Sequence, residues 1–238
     1  MKKVGVIAGT LFLETDFSEN LRKKTVETEF GKAEVFLSDL FAYIPRHGTD
    51  TAHHILPHLI NHPANIAALG KLGITEIMGI HSTGSLKTSL PPGTILIPDD
   101  FISLTDRETI FSDRAVHVTP LLDETLRHAV TAAAEYLGIP TIPQGTYWQT
   151  RGPRLETKAE IRMMAQFADI VGMTMASEAV IARELGISYA SICSVDNYCH
   201  GITPRPLTMQ EIMTGARRNA GRVREIVTGL IETGTGKS

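Results

Sequence analysis

The chain is poor in cysteine, in charge of either sign and in long apolar runs, and each shortage excludes something. Only two cysteines, Cys193 and Cys199, occur in 238 residues. Two cannot build a disulfide scaffold, and their spacing fits no common zinc pattern. A reduced, cytoplasmic setting is the simplest expectation. No stretch reaches the roughly 18–20 uncharged apolar residues of a membrane span. The N-terminal MKKVGVIAG has a basic start, but its apolar run is short for a signal peptide, and Glu14 and Asp16 follow soon after. It reads as a first buried strand. The net charge is −3, from 23 Lys and Arg against 26 Asp and Glu. That leaves no bulk field to capture nucleic acid, and no long basic patch replaces it. No G-x-G-x-x-G fingerprint is present, and the one Gly-Lys-Ser lies at the extreme C-terminus without a strand and helix around it.

What is present is an ordinary globular composition, 42% hydrophobic and 21% charged, which argues against disorder and collagen-like structure. One local pattern occurs three times: an amphipathic segment, then Leu-Gly-Ile, then an apolar run. The three are Leu72-Gly73-Ile74, Leu137-Gly138-Ile139 and Leu185-Gly186-Ile187. Glycine just past a helix accepts the left-handed conformation that closes the helix end, and the isoleucine opens the next element. Helices are expected over 64–72, 123–137 and 178–185, with Asp123 and Ser177 as N-caps. A last helix is expected over about 208–230, with Ile212, Val223, Ile226 and Val227 facing the core. Strands are expected over 3–8, 33–37, 76–81, 94–98, 145–150, 170–173 and 189–195. Alternating strands and helices imply an α/β fold: a mixed, twisted β-sheet flanked by helices. With no low-complexity linker and no shift in composition, residues 1–238 read as a single domain, 233–238 being a frayed tail.

In such folds ligands bind at loops past the carboxyl ends of strands. Gly9-Thr10 could aim backbone N–H groups and a hydroxyl at an anion. Arg46-His47-Gly48 sets a rigid cationic fork beside an imidazole. His53, His54, His58 and His62 follow. They read as a histidine-rich surface loop, since no Asp, Glu or Cys falls at a recognised metal spacing. Ser82-Thr83-Gly84-Ser85 offers small residues that let a ligand approach the backbone. Thr157 with Glu160 forms a capping box, which leaves Glu156 unexplained at a strand-to-helix junction. Asn197 carries both a donor and an acceptor and could read a heterocycle's edge. An Asx turn is the other reading of Asp196-Asn197.

Taken together these segments resemble the trimeric nucleoside phosphorylases, the family of purine nucleoside phosphorylase and methylthioadenosine phosphorylase. The matching motifs run in order along nearly the whole chain: Gly9-Thr10, Arg46-His47-Gly48, Asn61-His62-Pro63-Ala64-Asn65, Ser82-Thr83-Gly84-Ser85-Leu86, Gly152-Pro153-Arg154-Leu155-Glu156-Thr157, Gly172-Met173-Thr174, Glu178 and Tyr189-Ala190-Ser191-Ile192. The resemblance implies a nucleoside phosphorylase-like fold and phosphate-dependent, reversible cleavage of a purine nucleoside into base and ribose 1-phosphate. It implies no metal and no organic cofactor, phosphate being a co-substrate. It also implies a homotrimer or a dimer of trimers, with purine nucleoside and phosphate as the small-molecule partners and neither nucleic acid nor membrane.

By the same resemblance Thr10, Arg46, His47, the Ser82 backbone N–H and Thr174 hold phosphate. Met173 packs on the ribose. Asn197 stabilises the leaving base at its N7 edge, and with His47 carries the catalysis. Glu156 accepts from the N1–H of a 6-oxopurine. Leu155 stands where an aromatic residue often stacks on the base, and Asp196 would reach N7 if the alignment shifted by one residue. His81 stands near the sugar. Met209 occupies the place of a histidine that meets the ribose 5′-hydroxyl, and an apolar side chain there suits a 5′-methylthio group. His117 matches the position by which one subunit closes its neighbour's pocket. Leu11-Phe12 departs from the family, which usually has a second glycine there, and Ser177 replaces a common proline. Cys193 is expected within a strand, and Cys199 near the base pocket.

Glu156 and Asn197 point to hypoxanthine or guanine, and Met209 to a 5′-methylthioinosine substrate. Inosine and guanosine remain open. The alternatives are a methylthioadenosine phosphorylase and, given Leu11-Phe12, a nucleoside-binding homologue without turnover.

Overall fold

The computed structural model describes residues 3–9, 12, 16–18, 20–50, 53–104, 109–204 and 207–233. Thr10 and Leu11, and the tail from residue 234, lie outside them. The chain runs β1 (Val4–Ala8), β2 (Arg22–Thr28), β3 (Gly31–Leu37), β4 (Phe41–Pro45), α1 (His62–Lys71), β5 (Glu76–Ser85), β6 (Ile95–Leu96), β7 (Asp100–Ser103), α2 (Glu124–Tyr136), β8 (Thr146–Gln149), α3 (Lys158–Met164), β9 (Ile170–Gly172), α4 (Met175–Glu184), β10 (Ser188–Tyr198) and α5 (Met209–Thr233).

One sheet of ten strands contains all of them. Its main order is β2-β3-β4-β1-β5-β9-β8-β7, and β10 pairs with β5 and β6. The centre is parallel: β1 lies between β4 and β5, and β10 runs beside β5 from Ser188 opposite Glu76 onward. The hairpin β2–β3, the β3–β4 pair and the short contacts of β9 with β5 and of β6 with β10 are antiparallel.

Side chains alternate across the central strands and so feed two cores. Ile7, Ile77, Tyr189 and Cys193 face one side, where Ile66 and Leu69 of α1 and Ala179 and Ile181 of α4 cover them. Val6, Met78, Ile80, Ala190 and Ile192 face the other, under Leu126 and Val130 of α2 and Val223, Ile226 and Val227 of α5. A sheet buried on both faces needs strands that are apolar at nearly every position, as β1 and the Ile77–Ile80 stretch of β5 are.

The three Leu-Gly-Ile signals end α1, α2 and α4. Gly73, Gly138 and Gly186 have φ of 77°, 67° and 70°, in the left-handed region that other residues rarely adopt. Asp123 caps α2 by accepting from the Leu126 N–H. Both halves of the Thr157–Glu160 capping box are formed.

Three expectations are corrected. First, β2, β4 and β7 lie outside the expected strands. β2 and β7 are edge strands, and β2 (RKKTVET) buries only Val26, so its apolar signal is weak. Second, α4 starts at Met175 rather than after Ser177. It begins early because its N-terminal amides are satisfied from β8 rather than by a local cap: Gln149 Oε1 accepts from Ala176 N at 2.6 Å and Ser177 N at 3.3 Å, and Tyr147 OH from Thr174 N at 3.2 Å and Met175 N at 3.4 Å. Third, Ser82–Ser85 and Asp196-Asn197 are strand, not loop. Between Val195 and Asn197 the register slips by one residue against β5. That bulge turns successive side chains in a way an alternating strand cannot.

Candidate active site

A cavity of about 340 Å³ opens at the carboxyl ends of the central strands. The end of β4 supplies Arg46 and His47, and β5 supplies Ser82, Thr83 and Gly84. The segment after β9 brings Met173 and Thr174, β10 brings Asn197 with Cys199 just after it, the stretch before α3 brings Leu155 and Glu156, and the start of α5 brings Met209. Parallel neighbours end side by side, which is why residues more than 150 positions apart meet here.

Arg46 is buried and anchored on four sides. Nε donates to Glu178 Oε1 at 2.6 Å, Nη2 to Glu178 Oε2 at 3.1 Å and to the Ile7 carbonyl at 3.0 Å, and Nη1 to the Ile80 carbonyl at 2.6 Å. Four of five guanidinium hydrogens are thereby engaged, leaving one on Nη1 for a ligand among the described residues. Nη1 lies directly beneath Gly9. A β-carbon on Gly9 would come within 3.0 Å of it and within 2.9 Å of His47 Nε2. The missing side chain of Gly9 is what leaves both groups reachable.

Glu178 receives a third donor, Tyr189 OH at 2.8 Å. Burial pushes its carboxyl up, while Arg46 and the donated hydrogen bonds pull it down. Three converging donors assign it as the carboxylate. Tyr189 has one hydrogen and gives it to Glu178, so its oxygen accepts from His81 Nε2 at 2.9 Å. Burial, then Arg46, holds His81 well below the usual imidazole value. A neutral His81 protonated on Nε2 must accept at Nδ1, and Thr174 Oγ1 stands there at 2.8 Å. The Thr174 hydrogen therefore points away from the cavity and its lone pairs point in.

His47 Nδ1 lies 2.7 Å from the Ile55 carbonyl, and its ring stacks on His54 with centroids 4.3 Å apart. A carbonyl only accepts, so Nδ1 carries the proton. Burial, then Arg46, lowers its pKa to about 3.

At the other part of the cavity Glu156 Oε1 accepts from Thr150 Oγ1 at 2.7 Å, which leaves Oε2 for a ligand. Asn197 Nδ2 donates to the Tyr198 carbonyl at 3.0 Å and keeps one amide hydrogen and the amide oxygen. Leu155 and Met209 are 41% and 64% exposed at the rim.

The cavity thus brings together Arg46, His47, Ser82, Thr174, Glu156, Asn197, Leu155, Met173 and Met209. Thr10 lies outside the described residues. Three expected site residues do not line the cavity. The Asp196 carboxylate is turned beneath the floor, accepting from Ser82 Oγ and Ser194 Oγ, because the bulge at β10 directs its neighbour Asn197 inward instead. Burial raises its pKa to about 7. His81 stands behind Thr174, held by Thr174 and Tyr189. His117 is exposed and away from the cavity. Phe12, whose Leu11-Phe12 setting departs from the family pattern, packs into the core against Phe17, with centroids 4.9 Å apart.

Sequence reasoning missed Tyr147 and Gln149 of β8, Thr150 just after it, and the tie from Glu178 to Tyr189. Only the Glu178 and Tyr189 motifs gave a signal, and neither carried a role. Among the described residues no three His, Cys, Asp or Glu side chains are grouped to hold a metal ion.

A family model described as the phosphorylase superfamily matches residues 3–232. The chain is similar to the "Probable 6-oxopurine nucleoside phosphorylase" of Archaeoglobus fulgidus, 43% identical over 94% of this chain and 93% of the relative. It is also similar to the "Probable S-methyl-5'-thioinosine phosphorylase" of Methanocaldococcus jannaschii, 36% identical over 98% of this chain and 94% of that one. Among solved structures, methylthioadenosine phosphorylase from Schistosoma mansoni in complex with adenine superposes with a TM-score of 0.87 at 26% identity, covering 98% of this chain and 92% of that one.

Proposed function

Because the chain belongs to the phosphorylase superfamily, we propose that it cleaves 6-oxopurine nucleosides with inorganic phosphate, reversibly, to give free base and a ribose 1-phosphate or its 5-methylthio analogue. The observation that carries this reading is a single cavity lined both by Arg46, His47 and Thr174 and by Glu156 and Asn197. One group suits an anion and the other a purine edge.

The chemistry requires two charges to be met. As the N-glycosidic bond stretches, the sugar gains oxocarbenium character and the purine gains negative charge. Groups that bind these charges more tightly in the transition state accelerate the reaction. Phosphate at Arg46, His47 and Ser82 places a nucleophilic oxygen and negative charge beside the cationic sugar. Asn197 faces the base at N7, where its amide strengthens a hydrogen bond as the base leaves. The balance is nucleoside plus HPO₄²⁻ giving sugar 1-phosphate dianion plus the base carrying one added proton. No metal or organic cofactor enters that balance.

Glu156 sets base preference. Its free oxygen accepts the N1–H of hypoxanthine or guanine. Adenine has no N1–H and presents a lone pair there, leaving two acceptors face to face. Met173 packs on the ribose. Met209 favours a 5′-methylthio substituent over a hydroxyl, and Leu155 covers the base. The protein acts as a homotrimer or a dimer of trimers in the cytoplasm, with His117 closing a neighbour's cavity. No helix among the described residues is long and apolar enough to cross a membrane.

Methylthioadenosine is the second reading, favoured by the apolar Met209 at the sugar end and by the Schistosoma structural match. A nucleoside panel assayed with and without phosphate tests both. Comparing kcat/KM for 5′-methylthioinosine and 5′-methylthioadenosine separates them.

A further inference from the structure

Among the described residues, the charges lining the cavity do not add up to a site for a dianion. Among the described lining residues Arg46 is the one permanent cation, and Glu156 is an anion in the same cavity. Behind the wall Glu178 already neutralises Arg46 through two contacts. The first turn of α4 offers no help, since the amides of Thr174, Met175, Ala176 and Ser177 are all taken by Tyr147 and Gln149.

The polar atoms that face inward make the shortage sharper. With Nδ1–H bound to the Ile55 carbonyl, a neutral His47 turns a bare lone pair at Nε2 toward the space under Gly9. Thr174 Oγ1, its hydrogen given to His81, also offers only lone pairs. An unprotonated oxyanion would meet acceptors at both.

Resting on the reading that this cavity takes phosphate, we propose that phosphate binds as the monohydrogen dianion together with one proton, which His47 Nε2 takes up from solvent, while the anion's own hydroxyl donates to Thr174 Oγ1. One proton turns a repelling lone pair into a charged donor and supplies the missing positive charge. The second acceptor selects an anion that still carries a hydrogen.

The groups facing His47 explain why its proton waits for the anion. Arg46 just past β4 and the stacked ring of His54 disfavour the imidazolium, and His62 at the start of α1 and His81 on β5 adjoin it. Glu178 on α4 is spent on Arg46, and Glu156 is held by Thr150. In the free protein burial and Arg46 keep His47 neutral down to about pH 3. An adjacent dianion raises that value. Affinity for the dianion is then highest at low pH and falls about tenfold for each unit of rising pH until the bound-state value is passed; for total phosphate the gain on acidification stops at about pH 7, where the free anion itself takes up a second proton.

The test uses the full chain with ¹⁵N-labelled histidine, the His47 signal being assigned by its loss in His47→Asn. Inorganic phosphate, and separately sulfate, are titrated at about pH 7, where a free sulfate is a dianion without a hydrogen and a buried neutral imidazole is uncharged. The expected result is that His47 Nε2 moves from the unprotonated to the protonated range with either anion. Calorimetry in two buffers of different ionisation enthalpy should report about one proton taken up per sulfate bound. Sulfate should bind at least tenfold more weakly than phosphate, and Thr174→Val should abolish most of that difference. Anion binding with Nε2 still unprotonated, or proton uptake with phosphate but none with bound sulfate, overturns the assignment to His47. Phosphate-dependent nucleoside cleavage alongside either result leaves the proposed function standing. Absence of any phosphate binding overturns both.

Discussion

Arg46 and Glu178, 132 residues apart in sequence, form a two-pronged ion pair at 2.6 and 3.1 Å that is almost wholly buried behind the cavity wall. The pair fixes the guanidinium so that one N–H remains for a ligand. It also ties the end of β4 to α4. Removing one partner of such a pair leaves a buried charge unmatched, at a cost of about 3–5 kcal/mol. Glu178→Gln should therefore lower the urea-unfolding free energy by about 3 kcal/mol, the amide retaining part of the hydrogen bonding. A loss below about 1 kcal/mol would place the pair among weak surface contacts.

Base recognition is read in Glu156. Glu156→Gln exchanges one acceptor oxygen for a donor amide and should lower kcat/KM for inosine or 5′-methylthioinosine by about 100-fold, with a much smaller loss for the 6-amino analogue. An equal loss for both would mean that Glu156 supports the cavity rather than reading the base. Steady-state kinetics on matched 6-oxo and 6-amino nucleosides checks this.

Asn197 and Asp196 are neighbours with separate tasks. Asn197→Ala should lower kcat by about 10²–10³, as expected for an interaction that strengthens toward the transition state, with KM for phosphate little changed. Asp196→Asn should keep a far larger share of kcat, because the Asp196 carboxylate meets Ser82 and Ser194 and not the cavity. Kinetics of the two variants side by side decide the assignment; the reverse order would return the catalytic role to Asp196.

Acid should destabilise the ligand-free protein. Burial, then Arg46, lowers His47 and His62 to about 3 and His81 well below its usual value. In the unfolded chain these titrate near 6.5, so the unfolded state binds more protons as pH falls below that. The stability they contribute is present above about pH 6.5 and is lost as pH falls toward 3. Asp196 acts in the opposite sense. Its folded value of about 7 exceeds its unfolded one, so its contribution grows as pH falls from 7 to about 4. Three histidines outweigh one aspartate, and Asp196→Asn should make the acid loss steeper. Unfolding free energies at about pH 5 and about pH 7.5 for both proteins test the sign; a shallower slope in the variant would contradict it.

Much of this arrangement was legible in the sequence, and the parts that were not share a cause. Gly73, Gly138 and Gly186 announce helix ends because the requirement for positive φ is local. Arg46, His47, Thr174 and Glu156 were legible because each follows a strand or precedes a helix in a recognisable motif, and Asn197 because it lies at the carboxyl end of β10. The positions of Asp196 and His81 were not. A one-residue bulge in β10 decides which of two adjacent side chains enters the cavity, and no residue pattern marks it. Likewise, only three-dimensional pairing puts Tyr147 and Gln149 of β8 over the first turn of α4. β2 escaped notice because one buried valine is too weak an alternation to signal a strand.

The most direct test of the account is product release by the purified chain from inosine, guanosine and 5′-methylthioinosine, each with and without inorganic phosphate. The account predicts free hypoxanthine or guanine, with an equal amount of sugar 1-phosphate, only when phosphate is present. No cleavage of any of these nucleosides, or equal cleavage without phosphate, would contradict it.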